Sequence, residues 1–146
     1  MLLDANILLY AVDRSSPHHQ VAARWLTSTL SSGTRVGLAW QTIGAFIRIV
    51  THPRVMARPL AGADAWSFVE GWLSLDNVWL PTTTQRTAVI LGRLVTDLGV
   101  TGNLLPDAQL AATAIEHGVV LVSADTDFAR FPDVRWLNPL TQGREP

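Results

Sequence analysis

The sequence predicts an α/β sandwich around a mainly parallel sheet, on three observations. Short apolar stretches alternate with helical patterns of ten or more residues, the arrangement that right-handed crossovers turn into a parallel sheet. The apolar stretches, VVLVS at 119–123 above all, hold too few polar residues for a sheet with one wet face. The 146 residues contain no repeat, charge block or long linker, so 1–146 reads as one domain large enough to bury a core.

Residues 1–3 read as a strand. Pro17 to Leu30 reads as a helix with Val21, Trp25 and Leu26 near one face, ended by Ser31-Ser32-Gly33. TRVGLAW, 34–40, gives a short strand. In QTIGAFIRIV, 41–50, the residues Ile43, Phe46, Ile47 and Val50 form a helical stripe, stopped by Thr51-His52-Pro53-Arg54. GADAWSFVEGWLSL, 62–75, is a helix opened by Asp64. VWL before Pro81 is a strand, and Thr84 to Leu98 a helix ended by Gly99. Pro106-Asp107 opens the helix AQLAATAIEH, closed by Gly118. VVLVS and then VRWL, from Val134, complete the strands.

Hydrophobic residues at 48%, charged residues at 16% and a mean hydropathy of +0.22 exclude disorder and suggest that a partner covers part of the apolar surface. Of the six tryptophans, Trp25 and Trp66 are expected to fill the core. With no cysteine, any metal must be held by oxygen or histidine ligands, which favours a hard ion. The first residues have no basic leader pattern, and no apolar run approaches the roughly 18 to 20 residues that cross a bilayer. A cytoplasmic protein is expected. The formal net charge of −1 provides no global positive field, so any nucleic-acid binding has to come from local arginines and a bound cation.

In MLLDANILLYAVD, Asp4 and Asn6 interrupt a segment that packing alone would fill with aliphatic residues. Asp4 either caps a helix starting near Ala5 or belongs to a site. Open parallel sheets bind ligands beyond the carboxyl ends of their strands. Asp4 follows the first strand, and Asp125, with Asp127 beside it, follows VVLVS. Asp107 opens the helix leading into that strand, where Ala108, Ala111, Ala112 and Ala114 allow close approach to the sheet; alone it reads as an N-cap or first-turn aspartate. Together these acids would crowd one crevice and raise one another's pKa unless a cation neutralised them. Mg²⁺ or Mn²⁺ suits such oxygen ligands, and metal in an open crevice is the usual apparatus of phosphoryl chemistry.

Other chemistries lack their residues. There is no phosphate-binding glycine loop and no G-x-S-x-G. Histidines 18, 19, 52 and 117 show no zinc spacing; His18-His19 reads as a solvated first turn and His117 as a helix C-terminal residue. A small-molecule phosphatase would want an aspartate two residues after Asp4, where Asn6 stands.

MLLDANILLYAVD, FIRIVTHPRV and PDAQLAATAIEHGVVLVSADTDFARFP, with RWLNPL behind it, together resemble the PIN-domain ribonucleases of the VapC type, toxins of bacterial toxin–antitoxin pairs. The resemblance spans essentially the whole chain and is most specific in DAxxAAxAxEHG followed by SxDxDF. It implies a compact three-layer α/β/α sandwich and a homodimer. The implied activity is Mg²⁺- or Mn²⁺-dependent cleavage of structured RNA such as tRNA or rRNA, silenced by a cognate antitoxin. Position by position, it implies metal binding at Asp4, Asp107 and Asp125, with Asp127 adjoining, and supporting roles for Asn6 and Ser123.

One element departs from the family pattern. The glutamate common in the helix read here as QTIGAFIRIV is replaced by Gly44 or Ala45, and no carboxylate occurs between Asp13 and Asp64. Either Asp125 and Asp127 both serve, or the metal is held more loosely through waters, or activity is reduced. In the last case the chain is a PIN-like RNA- or protein-binding regulator with weak or no catalysis. Arg48, Arg54, Arg86, Arg93 and Arg130 could meet RNA phosphate or antitoxin carboxylates; Arg130, just past the acidic pair, and Arg48 are the substrate-binding candidates.

Overall fold

The computed structural model describes residues 1–141. Its five strands are β1 (Leu2–Leu3), β2 (Val36–Gly37), β3 (Val78–Trp79), β4 (Leu121–Val122) and β5 (Trp136–Leu137). They lie in the order β3-β2-β1-β4-β5, and every pairing is parallel. The six helices are α1 (Ala5–Val12), α2 (His19–Ser31), α3 (Trp40–Val50), α4 (Gly62–Leu73), α5 (Gln85–Leu98) and α6 (Leu105–His117), with 3-10 turns at Gly102–Leu104 and Thr126–Arg130.

Successive strand residues face opposite layers, as the two-residue period requires. Leu2 and Leu121 pack with Leu94, Ala108, Ala111 and Phe128 on the side of α5 and α6. Leu3 and Val122 pack with Ile7, Leu26, Phe46 and Val69 on the side of α1 to α4. Both faces of the sheet are therefore dry, and the three layers of the expected α/β/α sandwich follow from strands that are apolar on both sides. Ala108, Ala111, Ala112 and Ala114 are essentially fully buried, so α6 lies close on the sheet. Gly99 and Gly118, both at φ 62°, end α5 and α6 in the left-handed conformation that glycine adopts without steric cost.

Several expectations are corrected. Ladder pairing within VVLVS covers only Leu121–Val122, and Trp40, expected at the end of a strand, instead opens α3. Trp66 does not fill the core: it is 39% exposed and its indole Nε1 donates to Glu70 Oε1 on the same helix. Val21 is likewise 40% exposed. The apolar patterns of α2 and α4 are wider than the faces the sheet covers, and Ala22 and Leu26, Ala65 and Val69 take the inner positions. His19 does not simply face solvent, since its ring Nδ1 lies 3.1 Å from the Tyr10 carbonyl oxygen. No described helix is long and apolar enough to cross a membrane.

Two substitutions test this packing. Ala111→Leu forces extra methyl groups between α6 and the sheet and is expected to lower stability by about 1–3 kcal/mol in urea unfolding. Gly44 is exposed in mid-helix with open space where a Cβ would stand, so Gly44→Ala should raise stability by about 0.5–1 kcal/mol.

Candidate metal centre

Beyond the carboxyl end of β1, Asp4 takes the extended conformation (φ −82°, ψ 154°) of a residue that precedes a helix. Its Oδ1 accepts from the Ala5 backbone N–H at 2.6 Å, so the capping role holds. Its other oxygen, Oδ2, accepts from the Ser123 hydroxyl at 2.7 Å. The Asp4 N–H donates to the Val122 carbonyl at 2.9 Å, and this continuation of the β1–β4 ladder brings the two strand ends together.

Ser123, fully buried, is the junction. While its hydroxyl donates to Asp4, its oxygen accepts from Asn6 Nδ2 at 2.9 Å and from the Asp125 N–H at 3.0 Å. Asn6 Oδ1 in turn accepts from the Ala124 N–H at 3.2 Å. Asp125 opens the 3-10 turn at Thr126–Arg130, where its Oδ1 accepts from the Asp127 N–H at 2.9 Å. The turn thereby holds the two exposed carboxylates side by side.

Asp107 arrives from the other layer. It stands third in α6, after Leu105 and Pro106, and so is a first-turn residue rather than the cap. Asp107, Asp125 and Asp127 each offer a carboxylate oxygen, and the three oxygens lie within 4.8 Å of one another. Asp4 stands outside that group but near enough for its charge to act on Asp107. Arg130 lies at the rim, 3.8 Å from Asp127, both largely exposed. Arg48 is exposed in the last turn of α3.

Burial pushes the Asp4 carboxyl above the ordinary aspartate range, against the opposing bond from Ser123. Burial, then the charges of Asp4, Asp125 and Asp127, pushes Asp107 up to about 6. Near neutral pH a cation would relieve such a group. The donors are all carboxylate oxygens, as a hard divalent ion requires. Three carboxylate oxygens grouped this closely could share one divalent ion.

Three supporting side chains gave no clear signal in the sequence. The buried Thr42 of α3 donates its hydroxyl to the Leu3 carbonyl at 2.7 Å, just before Asp4. On the far side of β4, the Trp136 indole donates to the Ser123 carbonyl at 2.9 Å and Asn138 Nδ2 to the Ala124 carbonyl at 3.4 Å. Trp136 in β5 and Asn138 just past its end are two apart, a spacing that puts extended residues on one face.

These environments predict a pH dependence in metal-free protein. Between the ordinary 3.8 and about 6, the folded chain binds more protons at Asp107 than the unfolded chain does, so this group's contribution to stability falls as pH rises through that window. In EDTA, Asp107→Asn should unfold at higher urea than the parent near pH ~7, with the gap closing toward pH ~4. Asp4→Asn keeps a capping acceptor and should remain folded by circular dichroism.

Comparison with known proteins agrees with this geometry. The family described as PIN domain matches residues 1–134. Ribonuclease VapC37 of Mycobacterium tuberculosis is 45% identical over 138 residues, covering 94% of this chain and 96% of that protein. Ribonuclease VapC25 of the same species is 37% identical over 142 residues, covering 94% and 97%. Among solved structures, VapBC2 from Rickettsia felis bound to a promoter DNA fragment has a chain of the same fold, with a TM-score of 0.68 at 19% identity over 94% of this chain and 96% of that one. VapBC-1 from nontypeable Haemophilus influenzae gives 0.66 at 19% identity, with the same coverage. With an acidic cluster at the strand ends of the matched fold, the chain belongs to the PIN-domain family and is closely related to its VapC ribonucleases.

Proposed function

We propose that the chain is a Mg²⁺- or Mn²⁺-dependent endoribonuclease acting as the toxin of a toxin–antitoxin pair. The observation that carries this reading is the convergence of Asp107, Asp125 and Asp127 on one crevice, with Asp107 pushed up to about 6. Asp107 and Asp125 hold the ion, with Asp4 completing its surroundings and Asp127 as a further ligand or orienting group. Asn6 and Ser123 fix the directions of Asp4 and Asp125. A divalent ion so held supplies Lewis acidity, lowering the pKa of water and offsetting charge on a phosphodiester under in-line attack. Arg130 is placed to exchange Asp127 for an RNA phosphate, and Arg48 to meet the strand further out; guanidinium groups suit phosphate oxygens. Because water supplies the nucleophile, the 2′-hydroxyl is not used, and products carry 5′-phosphate and 3′-hydroxyl ends. Structured RNA, tRNA or rRNA, is the substrate class.

Incubation of structured RNA with the protein and Mn²⁺ tests this. Cleavage should require the ion, stop in EDTA and leave 5′-phosphates. Asp4→Asn should lose most Mn²⁺ affinity by calorimetry and orders of magnitude of cleavage, and Asp127→Asn should lose less. Wild-type-like cleavage by Asp4→Asn under limiting Mn²⁺ returns Asp4 to a purely capping role.

A second reading rests on a specific observation: α3 brings no acid. Gly44 is exposed and Ala45 carries no polar group, so the usual helix glutamate has no substitute there. On this reading the protein binds RNA or protein with weak or no catalysis. Absence of metal-dependent cleavage of any structured RNA would favour it.

The antitoxin partner is supported by the similar solved structures, among them VapBC structures and a toxin–antitoxin complex from Klebsiella pneumoniae. An apolar groove of ≈ 640 Å³, lined by Val12, Val50, Met56, Leu60 and Phe68 with Arg14 and Arg58 beside them, offers a seat for an amphipathic acidic segment. A homodimer is part of the same proposal, with exposed Trp66 on α4 as a candidate for covered surface. Sedimentation at micromolar concentration should show a dimer; monomer alone would remove that element.

A further inference from the structure

We propose that Trp136 is a positioning residue for the acidic centre, through a hydrogen bond that replaces one the chain cannot make. In the parallel β4–β5 ladder the Leu121 N–H donates to the Arg135 carbonyl and the Ser123 N–H to the Leu137 carbonyl. The same register assigns the next donor, to the Ser123 carbonyl, to residue 139. Residue 139 is proline and has no N–H. Ser123 is fully buried, so its carbonyl would stand unpaired in the protein interior. The Trp136 indole fills that place at 2.9 Å.

The consequence reaches Asp125 through a short rigid path. Ser123 and Ala124 form the turn between β4 and Asp125, and their polar groups are held from both sides. Asp4 and Asn6 take the Ser123 hydroxyl and the Ala124 N–H from the start of α1, while Trp136 of β5 and, more weakly at 3.4 Å, Asn138 just past it hold the two carbonyls. A freed Ser123 carbonyl would let the peptide turn, carrying with it the Ser123 hydroxyl that holds both Asp4 Oδ2 and the Asp125 N–H.

The test separates the hydrogen bond from the bulk of the ring. Trp136→Phe keeps an aromatic side chain and removes the donor. Pro139→Ala in that background restores an N–H in ladder register with the Ser123 carbonyl. Two readouts are taken on folded protein: hydrogen exchange of the Asp125 amide without metal, and Mn²⁺ affinity by calorimetry. In Trp136→Phe the Asp125 amide should exchange about tenfold faster, the scale of one net hydrogen bond. Mn²⁺ affinity should fall on the order of tenfold, as for other groups that orient metal ligands. The double variant should recover most of both.

A Trp136→Phe protein with the parent's exchange and affinity overturns the proposal. So does a double variant no better than Trp136→Phe, which would show that the ring acts by packing alone. The affinity readout rests on the metal-centre reading and the exchange readout does not. A parent that binds no Mn²⁺ therefore refutes the proposed function, while exchange in the two variants still decides the role of Trp136.

Discussion

A single buried hydroxyl joins the two halves of the site. The Ser123 side chain has one proton to donate and two lone pairs to fill, and all three are used: Asp4 receives the proton, while Asn6 and the Asp125 N–H fill the lone pairs. The contacts are direct, so the positions of Asp4 and Asp125 are tied to the pairing of β1 with β4. The hydroxyl is fully buried, where losing any one partner would leave a polar group without compensation. The strand ends are thus tied before any ion arrives, and the exposed pair Asp125/Asp127 is built outward from that tie.

Against this order stands the repulsion of the acids themselves. Asp107 is carried in by α6, and what lets the helix come close is a face of alanines against the sheet. The same closeness buries its carboxyl and sets it among three others, and both raise its pKa. The apolar core on both sides of the sheet therefore supports an arrangement that electrostatics alone would open, and that a divalent ion could stabilise by taking the opposing charges as ligands. A stable fold and a reactive crevice come from one packing choice, since a larger residue at 108 or 111 would relax the repulsion and dissolve the site together.

The α3 segment shows how support can persist where a ligand is missing. It brings no carboxylate, yet Thr42 in its first turn holds the Leu3 carbonyl immediately before Asp4. The helix still braces the first strand end. Around the centre, backbone groups are held from α3, from β1 and from β5, so the positions of the remaining acids do not depend on the absent one.

The amino-acid sequence by itself determined the class of fold and most of the chemistry. Two-sided apolar strands such as VVLVS can only be buried between helical layers, and aspartates at the ends of such strands have few uses other than caps and metal sites. Asp4 and Asp125 stood out for that reason, Asp107 through its place at the head of a helix leading into such a strand, and Asn6 and Ser123 through the family resemblance. Only the tertiary structure decided how they share the work. It showed Asp4 to be a cap as well as a neighbour of the site, and grouped Asp127 with Asp107 and Asp125, because a 3-10 turn the sequence did not announce folds Asp127 back beside Asp125. It also placed Trp66 at the surface, since an apolar helix pattern says how much can be buried but not which side the sheet will cover. Thr42, Trp136 and Asn138 stayed hidden because each acts on a carbonyl of another strand or turn, and which carbonyl lacks a donor is set by ladder register, a property of paired strands that no single segment contains.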